Sequence, residues 1–463
     1  MEYIGSQVKD INIAYIGGGS KGWAWALMGD LAMEGDLSGT VKLYDLNYEA
    51  AQVNSMIGNN LSRRDDVKGK WHYEAVPSLE KALTGADFVI ISILPGTFKE
   101  MAYDVNLPQE YGIYQSVGDT TGPGGIVRAL RTIPMYVEMA EAIKAYCPGT
   151  WVINYTNPMT LCTRTLTKIF PEIKAMGCCH EIFGAQQLLA SMLKDLKGME
   201  DVSYRDISVN VLGINHFTWI DEASYQGTDL MPVYREFAER YYETGYEEKP
   251  GQWMDSFFSS ACRVQFDLFR KYGLIAASGD RHLAEFMPRN WYLKDPETVK
   301  SWKFSLTPID FRMKRQEELV QKSKRLAAGE ESVQLKPSGE EGIRMIKALL
   351  GLGDFVTNVN VPNQGQIKGL PTGSVVETNA LLVRDGVKPV LAGQLPIDVE
   401  NLVARHVLNQ ETVLQAALNK DKSLAFRAFL SDPLVSSIDT GAAEQLFERM
   451  LEMTKAYLPG WDL

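Results

Sequence analysis

The chain is short of cysteine, of long apolar runs and of positive charge, and each shortage removes a class of protein. Only five cysteines, Cys147, Cys162, Cys178, Cys179 and Cys262, are spread over 463 residues. An odd and sparse set of thiols does not build a disulfide scaffold. No stretch reaches the ~18 consecutive apolar residues that cross a bilayer. The opening MEYIGSQVKDINIAYIGGGS has no basic segment followed by an apolar one, so no secretory leader is expected and the reducing cytoplasm is the expected compartment. Acidic residues outnumber basic ones, 58 to 47, for a net charge of −11. That balance argues against nucleic acid and anionic membrane as main partners, although a local basic pocket for an acidic substrate stays open. Internal repeats and low-complexity tracts are also missing.

What is present reads as a large globular protein. Hydrophobic residues make up 45% and charged residues 23%, and the length favours two closely packed domains over one core. Short apolar runs at Ile11–Ile16, Val41–Tyr44, Asp87–Ile93, Trp151–Tyr155 and Ile173–Cys178 read as buried strands. Helical patterns lie between them, most clearly over Leu46–Arg63, Ile126–Tyr146 and Met159–Ile169. Strands alternating with helices predict a doubly wound parallel sheet with right-handed crossovers. After about residue 200 the rhythm changes. Asp206–Leu212 and Ile220–Tyr225 read as strands of a different sheet, and Trp253–Tyr272 and Ile397–Leu418 as helices. Val375–Lys388 reads as extended chain with an Asp-Gly turn, and Lys322–Gly342 as an exposed loop or helix end.

The first strand runs into Gly17-Gly18-Gly19-Ser20-Lys21-Gly22, the G-x-G-x-x-G pattern in the strand-to-helix context that a dinucleotide-binding turn needs. Gly17 permits the tight turn, Gly19 a close approach of backbone to pyrophosphate, and Gly22 close packing of helix on strand. With Ser20, these residues would seat the phosphates at the helix N-terminus, where free N–H groups favour anions. Asp45, 28 residues after Gly17, ends the second strand. A carboxylate there binds an adenosine ribose and repels a 2′-phosphate, so NAD is expected over NADP. Residues 1–200 are therefore expected to form an NAD-binding Rossmann domain. Residues 201–463 would form an α+β domain that completes the remainder of the site.

Cys179-His180-Glu181 follows the fifth strand and opens a helix, at the carboxyl end of the sheet where open α/β folds bind ligands. Gly213-Ile214-Asn215-His216 follows a later strand. Cys179 and His216 could hold one divalent metal. Their donor types suit zinc, and a site with open positions filled by substrate oxygens suits manganese. A buried Cys and a satisfied core His are the ordinary reading of each residue taken singly.

Together these stretches resemble glycoside hydrolase family 4, the NAD- and metal-dependent glycosidases. The resemblance extends over Gly118-Asp119-Thr120-Thr121-Gly122-Pro123-Gly124-Gly125, Arg128–Pro134, Asn154-Tyr155-Thr156-Asn157-Pro158 and Cys179–Phe183. It continues through Gly213–His216, Gly279-Asp280-Arg281-His282 and Val359–Ile367. It implies an overall architecture like that of lactate and malate dehydrogenases, and a reaction without the usual paired carboxylates. In that reaction NAD takes a hydride from C3 of the sugar, a base removes the acidified C2 proton, and the metal stabilises the enediolate. The glycosidic oxygen then leaves, water adds at C1 and the hydride returns.

By resemblance, Cys179 and His216 are the metal ligands, and Asn157 and Asn215 contact the sugar. Asp119, Asp280 and His180 are the acid–base candidates. The sequence Cys179-His180-Glu181-Ile182-Phe183 is closest to the α-galacturonidase subgroup, and Asp119-Thr120 resembles the non-phosphorylated α-glycosidases. A uronic acid glycoside needs cations for its C6 carboxylate, for which Arg281 and Lys99 are candidates. Glu181 would repel that carboxylate if it faced it, and is expected to orient His180 or contact a hydroxyl. A homodimer or homotetramer is implied. The alternatives are a glucosidase, galactosidase or glucuronidase of the same family, or a lactate- or malate-type dehydrogenase, which would form NADH in net amounts.

Overall fold

The protein is described by a computed structural model covering every residue except position 385. Six parallel strands form the N-terminal framework: β2 (Gln7–Ile16), β3 (Leu37–Tyr44), β4 (Trp71–Ala75), β5 (Phe88–Ile91), β6 (Trp151–Asn154) and β7 (Lys174–Gly177), with β1 (Glu2–Ile4) paired antiparallel to β2. Their spatial order, β4-β3-β2-β5-β6-β7, is that of a dinucleotide-binding sheet, with its switch point between β2 and β5. Helices cover both faces, so the central strands are apolar without alternation: Ile13–Ile16 and Phe88–Ile91 are buried throughout.

Strand β4 was not expected, because exposed His72 and Glu74 interrupt its apolar pattern at the sheet edge. The helix Phe98–Gln109 was also not expected. It starts with a capping box between Thr97 and Glu100 and carries Pro108 near its end.

A second, four-stranded sheet contains β8 (Ile207–Ile214), β9 (Phe217–Tyr225), β10 (Thr228–Asp229) and β11 (Ile275–Ala276). The later strands do not stay with it. Of β12 (Phe355–Pro362), β13 (Ile367–Lys368), β14 (Val375–Val383), β15 (Gly386–Pro389) and β16 (Gly393–Gln394), the first, third and fourth extend the N-terminal sheet antiparallel beyond β7, while β13 pairs with β16. Asn360 sits opposite Gly177, and Glu377 opposite Asn360. The main sheet thus crosses the boundary expected near residue 200. Asp385 of the expected Asp-Gly turn lies outside the described residues.

The expected helix over Trp253–Tyr272 begins only at Arg263. The polar stretch before Gly342 is not all exposed, since Ser323, Leu326 and Glu341 are buried. One apolar cluster joins Val127 and Leu130 of the helix Gly122–Tyr146 to Phe217 and Trp219 of β9 and to Val403, Phe429 and Phe447 of the C-terminal helices. The seam between the two halves is packed like a core, so residues from both halves keep fixed relative positions.

Candidate active site

At the end of β2 the glycine turn is held entirely by the chain. Gly17 has φ +94°, and a Cβ there would lie 2.0 Å from the Ser92 carbonyl oxygen. No side chain can be accommodated. Gly17 and Gly18 donate to the Tyr44 carbonyl. A Cβ on Gly19 would meet Ala50 and the Asp45 carboxylate, so this glycine admits β3 and the next helix as closely as it admits a ligand. Gly22 has φ +110° and open space around it, so conformation and not packing calls for glycine.

Asp45 accepts from the Gly19 N–H (2.9 Å) and the Asn47 N–H (2.8 Å). Asn54, buried and not anticipated, donates to the Gly18 and Ser20 carbonyls and accepts from the Trp25 indole. A cleft opens beside the turn at the switch point, lined by Tyr15, Trp23, Ser92, Tyr155 and Glu340 among others. The start of the helix Trp23–Met33 carries no side-chain cap, and its N–H groups fit the phosphates of a dinucleotide.

Two strand ends supply the second part of the site. Cys179 follows β7 and is buried. Burial, with Glu377 and Glu181 nearby, pushes its thiol well above the usual range, while the Asn215 amide hydrogen-bonds to it. Asn215 and His216 make the two-residue link between β8 and β9, and His216 sits at φ +64°. That left-handed geometry costs a non-glycine residue about 1 kcal/mol and is typically retained where function fixes the side chain.

Burial, then neighbouring His282, lowers the His216 pKa to about 3, so the ring is neutral. Its Nδ1 lies 2.9 Å from the Thr120 hydroxyl, which itself donates to Asp119 (2.7 Å). A hydroxyl has one proton. Donating it to Asp119 obliges Thr120 to accept from Nδ1–H, which leaves the lone pair on Nε2, the atom available to a cation. Burial works against ionising Asp119, but Arg128 and the two histidines hold its carboxyl below the usual range. Asp119 thereby orients His216 through Thr120.

His282 lies against His216 with ring centroids 3.7 Å apart, and burial lowers its pKa to about 4. Glu181 accepts from the Gly279 N–H (2.7 Å) and lies 3.8 Å from His282 and 4.0 Å from His180, tying the three segments together. Half-exposed His180 stands at the rim, 3.0 Å from Glu340, which raises its pKa. The Asp280 carboxyl accepts from the Gln265 N–H (3.1 Å) at the start of the helix Arg263–Tyr272, its Oδ2 is buried without a partner, and burial raises its pKa to about 7.

Arg281 donates Nε to Ser305 O (3.2 Å) and Nη2 to Ser116 O (2.6 Å) and the Thr307 hydroxyl. Lys99 is exposed at the start of the helix Phe98–Gln109, so the structure does not bring it to the cluster. Asn157 keeps an unpartnered, buried Oδ1, as does Asn215. Its carbonyl is held by Arg128 Nε at 3.1 Å.

The extended sheet adds residues that were not foreseen. Asn358 of β12 donates to the Cys179 carbonyl (3.2 Å) and to Glu377 of β14 (2.7 Å). Glu377 is buried, which raises its pKa to about 7. A carboxylate in the apolar run Val375–Val383 was the available signal. Among the described residues no group of three or more His, Cys, Asp and Glu forms a ready metal cage. Cys179 and His216 with open positions fit a cation that takes its remaining ligands from substrate, and the unpartnered amide oxygens of Asn157 and Asn215 fit sugar hydroxyls.

Comparison with known proteins gives a consistent relationship. A sequence profile described as Family 4 glycosyl hydrolase matches residues 12–195, and one for the Family 4 glycosyl hydrolase C-terminal domain matches residues 211–435. The α-galacturonidase of Thermoanaerobacterium saccharolyticum is 62% identical over 464 residues, covering 100% of each chain. The crystal structure of the Bacillus subtilis protein LplD is 57% identical with a TM-score of 0.91, covering 96% of this chain and 100% of that one. The 6-phospho-β-glucosidase of Thermotoga maritima, solved with manganese, NAD+ and glucose-6-phosphate, shares the fold at 22% identity and a TM-score of 0.77, covering 96% and 99%.

Proposed function

The chain belongs to family 4 of the glycosyl hydrolases, and from that premise we propose that it hydrolyses α-galacturonides with NAD and a divalent cation, manganese in the simplest case. The observation that carries this reading is the convergence of the Cys179–Asn215–His216 cluster with the Asp119–Thr120 loop at the carboxyl end of a dinucleotide-binding sheet. Full-length identity of 62% to an α-galacturonidase supports the choice of sugar.

When bound, NAD supplies a hydride acceptor for the sugar C3, and the cation a Lewis acid for the adjoining oxygens, which together acidify the C2 proton. The chain's own residues have separate tasks. Gly17, Gly19, Ser20 and Gly22 seat the pyrophosphate, and Asp45 shapes that turn from the end of β3. Cys179 and His216 would hold the cation, with Thr120 and Asp119 fixing the His216 tautomer. Asn157 and Asn215 bind hydroxyls. His180, its pKa raised beside Glu340, is suited to deliver a proton to the departing glycosidic oxygen at the rim. Glu181 positions His180 and His282, and Arg281 belongs to the wall facing the C6 carboxylate.

No helix among the described residues is long and apolar enough to cross a membrane. All five cysteines are free thiols, which suits work in the reducing cytoplasm. A homodimer or homotetramer belongs to the same reading, and exposed Leu391 and Ile397 offer it an apolar surface to cover.

The test is release of nitrophenol from nitrophenyl α-galacturonide, α-galactoside and α-glucoside with NAD, Mn²⁺ and a thiol reductant. We expect the galacturonide to be cleaved fastest, activity to be lost with chelator, and no net NADH to accumulate. Stoichiometric NADH, or faster cleavage of a neutral sugar, would defeat the reading.

A further inference from the structure

Arg312 was not singled out by any motif, yet it is an unsatisfied cation near the site. It lies in the first turn of the helix Ile309–Ala328, in the C-terminal half of the chain. Its Nε is buried and has no hydrogen-bond partner, and no ion pair to it occurs among the described residues. Two other buried guanidinium groups are matched. Arg131 forms two parallel bonds to the carboxylate of Asp104, and Arg128 donates to Asn157 O.

Arg312 is also not alone. Its guanidinium lies 5.6 Å from the ring centre of Phe258, and that of Arg281 lies 5.3 Å from the same ring. The aromatic ring thus holds two like charges near each other, and each is partly stripped of water. Burial lowers the pKa of Arg281 to about 10, with Arg312 adding to that effect, and burial lowers that of Arg312 as well.

Among the described residues no carboxylate forms an ion pair with either guanidinium, although Asp119, which receives the Thr120 hydroxyl, favours the charge of both through space. Glu285 is occupied by the N–H groups of Val117 (2.7 Å) and Gly118 (3.0 Å), and burial raises its pKa to about 8. Two partly desolvated guanidinium groups with spare donors and no ion pair of their own form an arrangement that an anion would complete. A planar carboxylate matches the fork of each guanidinium, whereas a hydroxymethyl group does not.

We propose that Arg312, with Arg281 across the Phe258 ring, forms the subsite for the C6 carboxylate of the sugar and sets the preference for uronides over neutral hexosides. The inference rests on the galacturonidase reading and deepens it. Arg281 is also a structural strut, because its Nε and Nη2 hold Ser116, Ser305 and Thr307. Arg312 carries no such duty, so it is the residue whose removal separates selectivity from folding.

The experiment compares kcat/KM of the full-length holoenzyme for nitrophenyl α-galacturonide and nitrophenyl α-galactoside in wild type, Arg312→Gln and Arg312→Lys. Hydrogen bonds to a charged group convert to roughly 10- to 150-fold in rate or affinity. The Gln variant is expected to lose about 100-fold on the galacturonide, mainly through KM, and less than about 5-fold on the galactoside. The Lys variant, which keeps the charge and loses the fork, should fall between. Competition by free galacturonate should weaken in parallel, while NAD binding measured by fluorescence should not move.

Equal losses on both sugars would overturn the proposal, as would a Gln variant that keeps the wild-type ratio. If wild type itself prefers the galactoside, the substrate reading fails and takes this inference with it. A wild-type uronide preference that survives Arg312→Gln sinks the inference alone.

Discussion

The glycine turn and the Cys179–His216 cluster lie at the same edge of the sheet but treat their polar groups in opposite ways. At the turn every key polar group has a partner within the chain: Asp45 takes two N–H groups, and Asn54 uses both ends of its amide. At the cluster, Asn157 Oδ1, Asn215 Oδ1, Asn358 Oδ1 and His282 Nδ1 are buried without one. The first region is a finished piece of fold whose shape precedes its ligand. The second stays energetically incomplete without one, since an unpaired buried polar atom costs about 1–3 kcal/mol. Substitutions should therefore damage stability at the turn, and activity at the cluster.

The sharpest contrast comes from Cys179→Ser. Loss of the soft donor should lower kcat by about three decades, the rate equivalent of several kcal/mol of Lewis-acid stabilisation. The melting temperature without ligands should stay within about 2 °C of wild type. Activity assays with added Mn²⁺ and a thermal melt check both halves, and a large drop in melting temperature would break the comparison.

Gly17→Ala should do the reverse. Its Cβ would collide with Ser92 O, and φ +94° is unfavourable for alanine. A loss of stability on the order of 3 kcal/mol is expected, together with about 100-fold weaker NAD binding. Denaturant unfolding and cofactor titration measure these. Unchanged stability would mean that the turn is not preassembled.

The smallest effect on stability concerns Asp280, whose carboxyl caps the start of the helix Arg263–Tyr272. Burial raises its folded pKa from 3.8 to about 7. The folded protein then keeps a proton that the unfolded chain releases near pH 4, so this group's contribution to stability falls as pH rises from about 4 to 7 and is flat above. In Asp280→Asn that slope should shrink, giving a shift of about 2–4 °C relative to wild type between pH 5 and pH 8. Melts of both proteins at the two pH values check this, and a loss of activity far exceeding the stability change would assign Asp280 a part in the chemistry.

The legible parts were those written in short stretches of chain. The apolar runs of β2, β5, β6 and β7 and the helix Met159–Ile169 follow from local periodicity. The strand β4 and the helix Phe98–Gln109 did not, because exposed polar residues in one and Pro108 in the other blur the period. At the site, Cys179 and His216 stood out through motif and resemblance. Glu377, Asn358, His282 and Arg312 gained their meaning from neighbours more than 30 residues away, such as Glu377 hydrogen-bonded to Asn215 162 residues earlier.

By itself the sequence determined the nucleotide turn and the class of sheet, because each depends on residue types at short, fixed spacing, while the two candidate cation ligands came from the family resemblance. Only the tertiary structure decided which polar groups are satisfied. It turned Asp280 toward a helix start and Asp119 toward Thr120, and it carried Arg312 to Arg281 and Phe258. The reason is physical: a charge or an amide takes its role from desolvation and from the partners that reach it, and both are set by packing across the seam between the two halves.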